Sequence, residues 1–178
     1  MELPLLADVA ALAEKVGVPA DNAAVRRAVD RASHRFRGAV RCPVSRVDDD
    51  TIRLDGHGGR VLVLPAVPVV AVTTVRVAGT PVTDFTWSRN GMLRRTAGWP
   101  DDFGNVDVVC SHGYLAEEIP GEVFDVVLEM AEWIYDTSPG VVSRTVGGQS
   151  TSWANTGGVT AAWTAAVNNF RINVGDRA

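Results

Sequence analysis

Apolar positions in the first forty residues recur every three to four places. Leu6, Val9, Leu12 and Val16 share one helical face, Asp8 can cap or charge its first turn, and Gly17 stops it. After Pro19 and Asp21 a second stripe runs through Val25, Ala28, Val29, Ala32, Phe36 and Val40 at the helical period. The other faces of that helix carry Arg26, Arg27, Arg31, Arg35 and Arg37, with Asp30 among them. Pro43 disfavours helical geometry at Cys42, so the helix ends before it.

The pattern then changes character. Residues 45–50 are polar, end in Asp48-Asp49-Asp50 and read as a connecting loop. Strands are predicted over 51–54, 60–64, 69–77, 82–88, 92–95 and 105–111, rich in β-branched residues. Gly56-His57-Gly58-Gly59 reads as a hairpin turn, Ala78-Gly79 as a second, and Asn90-Gly91 as a strong hairpin signal. Pro65 and Pro68 bracket an irregular link, because proline cannot donate to a ladder. Residues 51–112 thus form an antiparallel β-module.

Helix returns at Pro120. Val123, Val127, Met130 and Ile134 line one side, and Val126 and Trp133 widen the stripe. Residues 138–159, rich in Gly, Ser and Thr, read as a flexible loop or a loose hairpin. Thr160 caps a last helix to about Ile172 whose apolar members are Trp163, Val167 and Phe170, and residues 173–178 form a mobile tail. The fold class is α+β: a small bundle of about four helices with the β-module inserted between the second and third. The expected organisation is one domain, 1–178.

Composition narrows the function. A chain of 178 residues, 46% apolar, can bury one good core. A net charge of −4 argues against free binding to nucleic acid, which needs a strongly basic face. Cys42 and Cys110 lack CxxC spacing and read as buried free thiols. No apolar run reaches the ~20 residues of a membrane span, and the start MELPLLADVAAL has no basic n-region, so neither span nor signal peptide is expected.

Candidate chemistry is sparse. Cys110 and His112 lie two apart on one strand and share a face, but no acid partner or oxyanion loop accompanies them. His34, His57 and His112 are scattered without metal-ligand spacing, and the aspartate run reads better as a solvated loop than as a cation site. Gly56, Gly58 and Gly59 lead into a strand rather than a helix, which disfavours a phosphate cradle. No catalytic, metal or cofactor-binding residue is expected. Arg27, Arg31 and Arg35 form a polar face that reads either as a solvated helix surface or as one that meets the acidic surface of a neighbouring subunit. Of the five tryptophans, Trp133 and Trp163 sit on apolar helical faces. Trp99 and Trp153 lie in loop-like sequence and are candidates for subunit-interface anchors.

The order of parts carries a resemblance. It comprises two N-terminal helices, then RLDG…GGRVLVLP…PVVAVTTVRVAGTPV, GMLRRTAGWP, VDVVCSHGY, IPGEVFDVVLEMAEWIY, GVVSRTVGGQSTSW and a last helix. The chain resembles, over about residues 5–170, the head-to-tail adaptor (connector) proteins of long-tailed phages infecting actinobacteria. The most specific pieces are Gly98-Trp99-Pro100, His112-Gly113-Tyr114 with Ile119-Pro120, and the 140–150 pattern.

The resemblance implies a non-enzymatic virion protein of the head–tail neck, made in the host bacterial cytoplasm. It implies a ring, commonly of about twelve copies, beneath the portal. Such a ring extends the channel for passing double-stranded DNA without reading its sequence, and presents a platform for stopper or tail-completion proteins. It also implies a portal grip by the C-terminal segment, here Trp163, Val167, Phe170, Arg171, Ile172 and Arg177. No cofactor and no membrane partner are implied. The alternatives are a stopper or tail-completion protein, mostly β, a nucleic-acid binder working through the arginine helix, and a Cys/His hydrolase.

Overall fold

The structure is a computed structural model, and it describes residues 3–137, 143–146, 149–152 and 157–171, without the side chains of 143–152. The element order is α1 (Val9–Val16), α2 (Ala23–Val40), β1 (Val47–Leu54), β2 (Val61–Val63), β3 (Val69–Val77), β4 (Thr80–Val82), β5 (Phe85–Trp87), β6 (Met92–Arg95) and β7 (Val106–His112). After a 3-10 turn (Ala116–Glu118) come α3 (Gly121–Asp136), β8 (Ser143–Val146), β9 (Gln149–Ser152) and α4 (Ala161–Phe170). The fold is α+β, with four helices among the described residues and the β-module between α2 and α3, as the sequence predicts. The described residues divide into two compact units: Leu5–Val40 with Ile119–Arg171, and Arg41–Glu118.

The helical unit forms where stripe and caps agree. Asp8 accepts the Ala10 N–H at 2.9 Å to start α1, and Gly17 closes it at φ +70°. The carboxamide of Asn22, rather than Asp21, accepts the Ala24 N–H at the head of α2. Val25, Ala28, Val29, Ala32, Phe36 and Val40 are all buried, and so is the α3 stripe of Val123, Val126, Val127 and Met130. Ser33 sits among them with both hydrogen-bonding roles used: its hydroxyl donates to Val29 O and accepts the Leu6 N–H. Thr160 caps α4 by accepting the Trp163 N–H at 3.0 Å. That brings the Trp163 ring edge-on to Phe36, centroids 5.3 Å apart. Strands β8 and β9 pair antiparallel, Ser143 opposite Ser152.

Among the described residues the β unit holds two sheets, ordered β1-β7-β3-β4 and β2-β6-β5. Both contribute to one core of Leu62, Leu64, Val69, Val75, Leu93, Trp99, Val106, Val108 and Cys110. Three sequence expectations change here. The aspartate run is not a loop: β1 begins at Val47 and pairs with β7, with an irregularity between Val47 and Asp50 where Asp49 sits at φ +50°. The expected strand over 82–88 is two strands in different sheets, broken at Thr83-Asp84.

The GHGG segment is a crossover between sheets rather than a hairpin. Its backbone bonds to a distant segment, with Gly56 N–H donating to Asp102 O, Gly58 N–H to Pro100 O, and Trp99 N–H to Gly59 O. A Cβ on Gly56 would lie 1.9 Å from Pro100 O, so the close approach requires glycine there. The Ala78-Gly79 and Asn90-Gly91 turns form as expected, joining β3 to β4 and β5 to β6.

At the end of β7 the chain crosses the entry to β1. Tyr114 N–H donates to Val44 O, Arg46 N–H to Tyr114 O, and Gly113 N–H to Pro68 O. Gly113 holds φ +85° there, directly against the Ser45 carbonyl.

Candidate functional site

Helix α2 turns its apolar stripe inward, so Arg26, Arg27, Arg31 and Arg35 are exposed. They are not equivalent. Arg35 is held by its own unit: its guanidinium lies 5.6 Å from the Trp133 ring centre and donates to Gly157 O at 3.3 Å. Arg27 and Arg31, one turn apart, make no ion pair among the described residues. They border a groove of about 220 Å³ whose other walls are Ala24, Ala28, Ile134 and Tyr135. The groove has an apolar floor and a cationic rim, which suits a partner group that is apolar at its tip and negative beside it.

The residues expected to grip a portal are placed differently. Trp163 is buried against Phe36 and committed to its own bundle, Val167 and Phe170 are half-buried, and Arg171 is exposed. Ile172, Arg177 and Trp153 lie outside the described residues. Trp99, expected at a subunit interface, is only 2% exposed, inside the core of the β unit, with the Arg95 guanidinium 5.8 Å from its ring centre. Its place next to Pro100 made it resemble a loop residue, yet it is the point where the crossover segment pins to the sheets.

Two surfaces escaped the sequence reading. The outer face of β2-β6-β5 presents Val61, Val63 and Met92 to solvent, because Val63 pairs with Met92 and Val61 with Arg94 on the side opposite the buried Leu62–Leu93 pair. The second is Phe103, 87% exposed. It follows the exposed Asp101 and Asp102 on a loop tied at several points, with Gly56 N–H bonded to Asp102 O, Phe103 N–H to the Asp102 carboxylate and Gly104 N–H to the Asp55 carboxylate. The signal in the sequence is an aromatic residue in the turn-like run Asp101-Asp102-Phe103-Gly104, where no apolar periodicity gives it a partner.

The chemical candidates resolve into packing. Cys110 shares β7 with His112, and the structure supplies the acid that the sequence lacked, with His112 Nε2 3.1 Å from Asp50 Oδ2. The thiol, however, is fully buried, and burial, then the nearby Asp50 charge, pushes its pKa up to about 11. At neutral pH it is a protonated, inaccessible thiol, the opposite of an activated nucleophile. Cys42, also free and buried, is shifted in the same direction by burial. The three aspartates of β1 go separate ways: Asp48 to Arg46 at 2.7 Å, Asp49 to Thr73, and Asp50 to His112. The Arg46 hydrogen bond holds the Asp48 carboxyl below its ordinary range. No group of His, Cys, Asp and Glu among the described residues is arranged to hold a metal ion.

No protein-family model matches the sequence, and no curated protein matches it significantly. Solved structures share its fold from end to end. A chain in the neck of an empty GTA particle with C6 symmetry superposes with TM-score 0.61 at 16% identity, over 96% of this chain and 95% of that one. A chain in the neck of a native GTA particle with C12 symmetry gives 0.60 at 18% identity, over the same 96% and 95%. A chain of the virion of the native gene transfer agent (GTA) particle gives 0.62 at 16% identity. The fold is therefore that of chains found in the neck of a gene transfer agent particle.

Proposed function

We propose that this protein is a structural neck protein of a tailed phage or phage-like particle: an adaptor that forms a ring beneath the portal, joins the DNA-filled head to the tail and extends the DNA channel. The observation that carries the reading is the end-to-end fold shared with chains of GTA necks, over 96% of this chain. The C12 symmetry of one of those necks supports a ring of twelve. The motif order points to long-tailed phages of actinobacterial hosts. The four helices favour the adaptor over a mostly β stopper or tail-completion protein, which becomes the partner on the tail side. The protein acts through mating surfaces, without catalysis, cofactor or membrane partner, and it resides in the virion neck after synthesis in the host cytoplasm. Double-stranded DNA passes the ring without sequence recognition.

On the portal side, the exposed Arg171 and the half-buried Val167 and Phe170 are the described candidates, with Ile172 and Arg177 following in sequence. The test is co-purification with the portal of the same particle, followed by electron microscopy and native mass measurement. A ring stacked on the portal is expected. Failure to bind portal at micromolar concentration, or a virion neck built wholly from other chains, overturns the proposal.

A further inference from the structure

The exposed aromatic of one unit and the groove of the other are complementary. Phe103 is the most exposed large apolar side chain among the described residues, at 87% against 52% for Val63, the next. Its mount is fixed by the backbone and carboxylate bonds of residues 55–56 and 100–104. A large apolar side chain held in water on a tied loop is pre-organised for a pocket elsewhere. Asp101 and Asp102 stand exposed beside it, and neither forms an ion pair with a described residue. The α2–α3 groove offers the converse: a floor of Ala24, Ala28 and Ile134, and at its rim the guanidinium groups of Arg27 and Arg31, which form no ion pair with a described residue. Those two like charges at i,i+4 repel one another until carboxylates approach.

We propose that Phe103 of one copy of this chain seats in the α2–α3 groove of the next copy, with Asp101 and Asp102 facing Arg27 and Arg31. The contact rests on the reading of the chain as a ring subunit and supplies the interface that reading needs. Knob and groove are different surfaces, so the contact is head-to-tail, the kind that closes into a ring when the rotation between copies divides a full turn. A nucleic-acid backbone would use the arginines but leave Phe103 in water and both aspartates without a partner. An apolar small molecule would leave the guanidinium rim unanswered.

The test places a photoreactive benzophenone amino acid at position 103 of the full chain. An equal mixture of isotopically heavy and light chains is irradiated at millimolar concentration. Cross-links to the peptides carrying Ala24 to Arg31 or Ile134 and Tyr135 are expected, in heavy–light pairs, with a loss of at least tenfold when Arg27→Glu and Arg31→Glu are combined. Cross-links confined within one chain, cross-links to another surface, or none, overturn the proposal.

A second measurement mixes Phe103→Asp with the Arg27→Glu/Arg31→Glu variant, both checked for native circular dichroism. Each alone should fail to form rings on the portal, and the mixture should give dimers and no ring, because each pair retains one intact knob and groove. Rings built by Phe103→Asp at wild-type yield would sink this interface while leaving the adaptor reading intact. Absence of rings from the wild-type chain on its portal would instead strike the adaptor reading itself.

Discussion

Gly113→Ala tests the crossing at the end of β7. Two costs apply. At φ +85° an L-residue meets the left-handed penalty of about 1–2 kcal/mol. The new methyl would also lie 2.4 Å from Ser45 O, 2.7 Å from Ser45 C and 2.8 Å from Val44 O, all backbone atoms. Carbon contacts settle near 3.5 Å, so one of the two segments must move by about 1 Å. That displacement weakens the bonds from Tyr114 N–H to Val44 O and from Arg46 N–H to Tyr114 O, each worth about 1 kcal/mol. The sum is about 3–4 kcal/mol, a large share of a typical domain's ~5–15 kcal/mol. Gly79→Ala is the control: its φ is +80°, but no atom lies within 4 Å of the new Cβ, so only the dihedral cost of about 1–2 kcal/mol applies. Urea titrations followed by tryptophan fluorescence should place the Gly113→Ala midpoint about 1 M below that of Gly79→Ala. If the two variants lose the same stability to within about 0.5 kcal/mol, the crowding argument is wrong.

Other outcomes follow from the same packing. Phe36→Ala empties the centre of the helical unit and removes the ring partner of Trp163. It should cost about 3–5 kcal/mol in denaturant titrations and detach α4 first in hydrogen exchange. Phe103→Ser should change stability by no more than about 0.5 kcal/mol in the same titrations, since the ring it removes is already in water. For Cys110 the folded thiol titrates near 11 against an ordinary 9.0, so between those values the unfolded chain has lost a proton that the native one keeps. Stability should therefore fall as pH rises from about 9 to about 11, and Cys110→Ala should flatten that slope in pH-dependent melting. Iodoacetamide at neutral pH should leave Cys110 unmodified in the native protein and label it on denaturation.

The helices were legible because stripe, cap and stop signals agree, as at Asp8, the α2 stripe and Gly17. The turns at Ala78-Gly79 and Asn90-Gly91 were legible because a short hairpin leaves only local geometry to satisfy. Sheet membership was not local. Residues 82–88 read as one strand, yet Val82 pairs with β3 and Phe85 with β6, and no period-two pattern records such a switch. Asp48 to Asp50 read as a loop because aspartate is rare in strands. β1 is an edge strand, and its carboxylates reach Arg46, Thr73 and His112 without entering the core. Trp99 looked available because only the folded crossover reveals what covers it. The groove at Arg27 and Arg31 was half visible: the arginines stood out, while the floor needed the packing of α3 against α2.

The whole of the two-sheet unit's described core lies in one unbroken stretch of chain, Arg41 to Glu118, inserted between helices that complete each other without it. Two crossovers in the gene, after Val40 and before Ile119, are enough to exchange that stretch for a relative's. Recombination between related genes would then replace one set of surfaces and spare the helical bundle's interior.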